Sequence, residues 1–157
     1  MNKNRACAGA IFAIGAVSMA LCSPSASAQN LEISGPGVSA SFTLQDLKAN
    51  VTSHEVAIED VEYNKRKVFD AFRLRDVLTL ANVQQNSSSV LLFKTLDGYT
   101  THLASASVTN EAYLTYQDHE STGTFELIKK GGYYVDPRPY YLVWTVEASQ
   151  DLPRPIN

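Results

Sequence analysis

Residues 72–103 read FRLRDVLTLANVQQNSSSVLLFKTLDGYTTHL, and this stretch decides the fold. In its first half, apolar residues recur at i, i+3, i+4 and i+7, which is one face of a helix, at Leu74, Val77, Leu78 and Ala81. Val90 to Thr95 is a compact apolar run of strand length, and Asp97-Gly98 is typical of a hairpin turn. We therefore expect a short helix within 72–83 and a hairpin whose return strand covers 99–103.

Short strands separated by turn residues flank this stretch on both sides. Gly35-Pro36-Gly37 is a strong turn signal between two strand-like segments, and Thr43 with Asp46 has the spacing of a helix-capping pair. The segments that we expect to be strands are residues 31–34, 38–42, 54–58, 63–71, 113–116, 125–127, 133–135 and 140–146. The predicted class is α+β with β dominant.

The first 28 residues have the layout of a secretory signal peptide. Lys3 and Arg5 precede an apolar run from Ala8 to Leu21, and Ala26-Ser27-Ala28 fits an A-x-A cleavage site. The run is shorter than the roughly 20 residues that span a bilayer, so we expect cleavage and no membrane anchor. The prediction is a periplasmic or secreted protein with one domain over 29–157, in which the loop-like residues 151–157 suggest a shortened end.

Composition excludes several classes of function. Cleavage would remove Cys7 and Cys22, the only two cysteines, so no disulfide, cysteine ligand or cysteine nucleophile is expected. From Gln29 onward, 11 Lys and Arg against 16 Asp and Glu give a net charge of −5, and no basic stripe indicates nucleic-acid binding. The only cationic run, residues 65–67, follows acidic residues and is interpreted as a solvated turn between strands.

Several segments, in this order, resemble the sulfite-oxidase-like, molybdopterin-binding oxidoreductase domain. They are FTLQDL (42–47), VFDAFRLRDVL (68–78), VLLFKTLDGY (90–99), YLTY (113–116) and YYLVW (140–144). The resemblance covers most of Leu31 to Trp144. It implies the scaffold of that domain, with short strands and two or three short helices.

The chain departs from the family at the cofactor site. Cofactor-binding members hold molybdenum through a cysteine upstream of the helix, whereas residues 54–72 contain no cysteine here. Arg66 and Arg73 match no motif for the pterin pyrophosphate, and Ala71-Phe72 stands where glycine is common. The resemblance therefore implies a scaffold without the cofactor. A molybdopterin-dependent oxidoreductase with oxygen or nitrogen ligands is the alternative.

The candidate site residues are aromatic, basic or acidic side chains near expected turns. Asp97-Gly98-Tyr99 would place a carboxylate and a phenol at the mouth of a pocket, or else form only a tight turn. Tyrosines beside Arg138 suit partner contacts, because Tyr and Arg are enriched at binding hot spots, although core packing would also account for them. The candidate pocket or partner contacts are Asp97, Tyr99, His102, Tyr134, Arg138 and Tyr140.

Metal and nucleophile motifs are weak. His54, His102 and His119 lack the spacing of a metal site, so residues 118–120 are interpreted as a surface loop. No Gly-x-Ser-x-Gly motif is present. The favoured hypothesis is a non-catalytic binding or accessory module whose aromatic C-terminal third docks a periplasmic redox protein, such as a cytochrome, or a small ligand. The other hypotheses are the molybdopterin enzyme and a divalent-metal site at His119 with its acidic neighbours.

Overall fold

A computed structural model describes residues 30–86, 89–96 and 98–145. Its strands are β1 (Leu31–Gly35), β2 (Val38–Phe42), β3 (Ser53–Asp60), β4 (Lys65–Arg73), β5 (Val90–Lys94), β6 (Thr100–Ala104), β7 (Ala112–Asp118), β8 (Ile128–Lys130), β9 (Tyr133–Val135) and β10 (Tyr141–Trp144). Its helices are α1 (Leu44–Asn50) and α2 (Leu74–Leu80), with a 3₁₀ turn at Ser105–Ser107. The β-dominant prediction is confirmed. In the described ranges, no helix has the length and apolar character needed to cross a membrane.

A four-stranded antiparallel sheet in the order β10-β7-β4-β3 forms the centre of the molecule. Three separate antiparallel hairpins, β1-β2, β5-β6 and β8-β9, surround it. Alternation of side chains along the strands gives the sheet two apolar faces. Other elements pack against both faces, whereas Glu55, Ala57 and Glu59 of β3 remain exposed.

The first face packs beneath the segment that contains β8 and β9. Phe69, Tyr141 and Val143 of the sheet form one core cluster with Phe125 and Ile128 from that segment. The second face carries the two helices. Here one cluster contains Leu74 and Leu78 of α2 with Trp144, while another contains Leu47 of α1 with Phe72 and Val77.

Several local predictions are confirmed. Thr43 and Asp46 form a complete capping box at the start of α1, because the Thr43 hydroxyl accepts from the Asp46 N–H and the Asp46 carboxylate accepts from the Thr43 N–H. The four residues that define the helical period, Leu74 through Ala81, are all buried. Gly98 has φ of +90°, as the turn between β5 and β6 requires of a residue without a Cβ.

The register between β4 and β7 contains a β-bulge. Ala71 lies opposite Thr115, whereas the next residue back, Asp70, lies opposite Gln117, so Tyr116 has no residue of its own opposite it on β4. The extra residue brings Asp118 opposite Phe69. The Asp118 side chain consequently points to the first face of the sheet, towards Lys67.

The first wrong prediction about local structure concerns the strand expected at residues 125–127. Phe125 to Leu127 is irregular, and the strand begins at Ile128. The reason is that the backbone groups of Glu126 are hydrogen-bonded to side chains and not to a neighbouring strand. Its N–H donates to Asp118 Oδ2 at 3.3 Å, and its carbonyl accepts from the Tyr63 hydroxyl at 2.7 Å.

The second correction concerns the cationic run. Residues 61–64 form the turn, whereas Lys65 begins β4 and Lys67 is fully buried. Strand alternation places Lys67 on the same face as Phe69, where an acidic partner compensates its charge. The predicted signal peptide and residues 151–157 lie outside the described residues.

Candidate functional site

A groove with a volume of about 1290 Å³ lies between the β1-β2 hairpin and the β5-β6 hairpin. One wall consists of β1 with the turn that follows it, and the other consists of β5. Pockets for small molecules have volumes of about 300–1,000 Å³, so this groove is larger than most of them. We refer to it as the hairpin groove.

The floor of the hairpin groove is apolar. Three consecutive members of the α2 apolar face, Leu74, Val77 and Leu78, lie along it, together with Leu114 of β7 and Leu142 of β10. The walls add inward-pointing residues that are half-buried, at Leu31 and Ile33 on β1 and at Leu91 and Phe93 on β5. The groove therefore separates two of the core clusters and exposes parts of both.

Tyr140 supplies a polar group at the end of this floor. Its hydroxyl oxygen is buried and has no hydrogen-bond partner among the described residues. Burial, followed by the negative charge of Asp46, raises the pKa of Tyr140 to about 12. The phenol is therefore neutral at physiological pH.

Charged groups are scarce in the hairpin groove. Among its described lining residues, Glu32 on the β1 wall and Lys94 on the β5 wall are the only ionisable acid and base besides the phenol of Tyr140. A molybdopterin would need a soft metal ligand and several cations for its pyrophosphate. The side chains that line this groove therefore do not fit a molybdopterin.

The six predicted site residues do not converge on one pocket. Tyr140 lines the hairpin groove. Tyr99 and His102 are exposed at the β5-β6 hairpin, and Tyr134 is exposed on β9. Arg138 donates from Nε to both carboxylate oxygens of Asp136, at 2.9 and 2.7 Å, within its own loop. Asp97 lies outside the described residues.

The three histidines also lie apart. His54 packs edge-on against Tyr113, with ring centroids 6.1 Å apart, and its Nε2 atom is buried without a partner among the described residues. His119 Nε2 lies 2.9 Å from Asp70 Oδ1, and this hydrogen bond raises the pKa of His119. Within the described ranges, no three acidic, cysteine or histidine side chains are grouped as a metal site would require.

A buried charge cluster lies under the β8-β9 side of the sheet. Lys67 Nζ contacts Asp118 at 2.7 Å, Glu126 at 2.9 Å and Glu120 at 3.1 Å, and it lies 4.6 Å from the centroid of the Tyr63 ring. Desolvation lowers the pKa of Lys67, but the hydrogen bonds to the three carboxylates outweigh it and raise the pKa overall. The lysine is therefore charged, and it ties β4 to β7 and to the loop that follows β7.

This cluster revises the interpretation of residues 118–120 as a surface loop. Asp118 is fully buried at the end of β7, and only His119 and Glu120 are exposed. Asp118 Oδ1 also accepts from the Glu120 N–H at 3.0 Å. The arrangement satisfies every charge that it buries, which is what a structural ion pair requires.

Sequence reasoning missed both the hairpin groove and the charge cluster. The strand alternation in residues 65–73 was a signal that Lys67 shares a face with Phe69, but nothing in the local sequence identifies Asp118 as its partner. The groove walls were recognised as strands, whereas their separation is a tertiary property. Comparison of the chain with protein-family models, curated proteins and solved structures found no match.

Proposed function

We propose that this protein is a non-catalytic binding module that holds an apolar ligand or polypeptide in the hairpin groove. The observation that carries the proposal is the groove itself, with about 1290 Å³ of volume and half-buried apolar side chains on both walls, at Ile33, Leu91 and Phe93. Apolar surface that remains open in a folded domain usually marks a binding site. The scarcity of charged side chains along the groove favours an occupant that is largely uncharged.

Binding of an uncharged apolar dye, N-phenyl-1-naphthylamine, to residues 29–157 would test this proposal. We expect saturable binding with a fluorescence increase. Ile33→Lys would place a charge on the β1 wall, and we expect it to weaken binding by at least about tenfold, equivalent to about 1.4 kcal/mol. The dye should bind one site per molecule.

Val61→Lys is a matched control, because Val61 is another β-branched residue, is exposed, and lies in the turn before β4 away from the groove. It should bind the dye as the wild type does. Circular dichroism of both variants checks that they fold. Equal affinity of the two folded variants would show that the dye does not use the hairpin groove.

The resemblance to the sulfite-oxidase-like domain supports a more specific role, that of an exported accessory module beside periplasmic redox proteins. Two exposed tyrosines on β9, Tyr133 and Tyr134, offer separate aromatic contacts on the other side of the sheet. Capture from a periplasmic extract, with Tyr133→Ser and Tyr134→Ser as the comparison, tests this role. Recovery of cytochromes by the wild type alone is the expected result, and recovery of no redox protein in any condition contradicts it.

Elemental analysis decides between this role and the molybdopterin alternative. The exported protein should be purified from a host that makes molybdopterin, so that the cofactor is available during folding. We expect no stoichiometric molybdenum in the folded protein, because neither residues 54–72 nor the groove lining contain cysteine. One molybdenum per chain would overturn the accessory role.

A further inference from the structure

The two walls of the hairpin groove are the edges of strands and not only their faces. Every residue from Asn30 to Val38 lines the groove on one side, and every residue from Ser89 to Leu96 lines it on the other. Consecutive side chains of a strand point to opposite faces. A cavity that touches all of them in both walls must therefore run along the backbone edge.

Both edges are free of strand partners within the described part of the chain. There β1 pairs only with β2, and β5 pairs only with β6. The outer edge of each therefore presents a row of N–H and C=O groups that an added strand can use. Proteins normally cover or charge such edges, whereas these two carry only Glu32 and Lys94 as ionisable groups.

We propose that the hairpin groove binds an extended polypeptide segment of another protein as an additional β-strand, between β1 and β5. The added strand would join the two hairpins into a five-stranded sheet in the order β2-β1-added strand-β5-β6. This inference rests on the proposed binding function and specifies its occupant. It requires hydrogen bonds from the ligand backbone to both walls.

The length of the walls and the spacing of paired strands define what an added strand requires. Each wall strand has five residues, a length of about 17 Å, and a strand bound on both sides needs about 9.6 Å between the walls. The groove has a volume of about 1290 Å³ and is lined along the whole length of both wall strands.

Charge complementarity favours a polypeptide over an acyl chain. The walls offer alternating backbone donors and acceptors, whose partial charges a peptide backbone matches and a hydrocarbon chain leaves unsatisfied. The floor is apolar, so the inward positions of the ligand should be valine, isoleucine or leucine. The occupant is therefore a segment with alternating apolar and polar residues and no charge at the inward positions.

The test uses residues 29–157 and a fluorescein-labelled peptide of sequence KTVTVTVK. We expect saturable binding, and we expect N-methylation of alternate backbone nitrogens to weaken it by at least tenfold although the side chains are unchanged. Hydrogen exchange should show slower exchange of amides in both β1 and β5 when the peptide is bound. Ile33→Lys should abolish binding, and Val61→Lys should not.

Three outcomes would overturn the inference. In the first, N-phenyl-1-naphthylamine binds and the peptide does not. In the second, palmitate displaces the dye and the peptide cannot. In the third, sedimentation shows that a second copy of the chain occupies the groove and the peptide does not compete with it. In each of these outcomes the protein still binds an apolar ligand in the groove. If the dye itself does not bind, the proposed binding function is also wrong.

Discussion

Replacing Lys67 with methionine would remove the one cation that is fully buried in the charge cluster. Methionine keeps most of the length and apolar surface of the lysine stem, so the change mainly deletes the charge. Asp118 is fully buried and lies 2.7 Å from Lys67 Nζ, so its carboxylate would lose its closest counter-charge. We expect a large loss of stability from this single substitution.

The magnitude follows from what remains around Asp118. Removing one partner of a buried ion pair costs about 3–5 kcal/mol. Here the carboxylate keeps two backbone donors, the N–H groups of Glu120 at 3.0 Å and Glu126 at 3.3 Å. These donors place the expected cost near the lower end, about 3 kcal/mol, which is a large part of the roughly 5–15 kcal/mol that stabilises a typical domain.

Urea unfolding followed by circular dichroism measures this loss. The midpoint should fall while the slope with urea concentration stays unchanged, and the melting temperature should fall by about 12 °C, taking about 4 °C per kcal/mol. Lys65→Met is the matched control, since Lys65 contacts the same glutamates from an exposed position. Its midpoint should remain close to that of the wild type.

A double variant separates charge from packing. In Lys67→Met with Asp118→Asn, no carboxylate remains buried without its cation, and the single side-chain oxygen of residue 118 can still accept from one of the two N–H groups. Its stability should exceed that of Lys67→Met alone. A Lys67→Met protein within about 1 kcal/mol of the wild type would refute the assignment of a buried, uncompensated carboxylate.

Three further predictions concern caps and titration. Thr43→Ala should lower the free energy of unfolding by about 1 kcal/mol in urea, because the capping box of α1 is lost; no change would mean that the cap does not form in solution. Hydrogen bonds to Lys67 and Lys65 hold the pKa values of Glu120 and Glu126 below 4.5, the ordinary value for a glutamate. The stability that these two carboxylates contribute is therefore fully present above pH 4.5 and is lost as the pH falls through their lowered pKa values. Urea midpoints should fall at acid pH, and Glu126→Gln should flatten that dependence. His119 should titrate above 6.5 by NMR, and Asp70→Asn should return its pKa towards 6.5; an unchanged value in that variant would contradict the hydrogen bond.

The local elements could be predicted because short-range chemistry determines them. The helical period of Leu74, Val77 and Leu78 predicted α2, and the Gly98 turn predicted the β5-β6 hairpin. The boundaries were less accurate where side chains compete for the backbone. Phe125 to Leu127 has strand-like composition, yet Asp118 and Tyr63 bind the main-chain groups of Glu126 there.

The site could not be predicted for a different reason. Lys67 and Asp118 are 51 positions apart, and only the pairing of β4 with β7 brings their side chains together. The hairpin groove depends on a space left between β1 and β5, which no property of either strand alone specifies. Of the predicted site residues, Tyr140 lines that space because the loop before β10 ends at its edge.

The β-bulge between β4 and β7 gives this sheet an unusual tolerance to changes in length. Tyr116 is one residue more than the pairing needs, since Thr115 and Gln117 lie opposite neighbouring residues of β4. Deleting residue 117 would place Tyr116 opposite Asp70 and leave Asp118 opposite Phe69. A deletion elsewhere in β7 would instead turn the following side chains to the opposite face. Natural variants of this chain that have a shorter β7 should therefore lack one residue at the bulge, while the rest of that strand keeps its length.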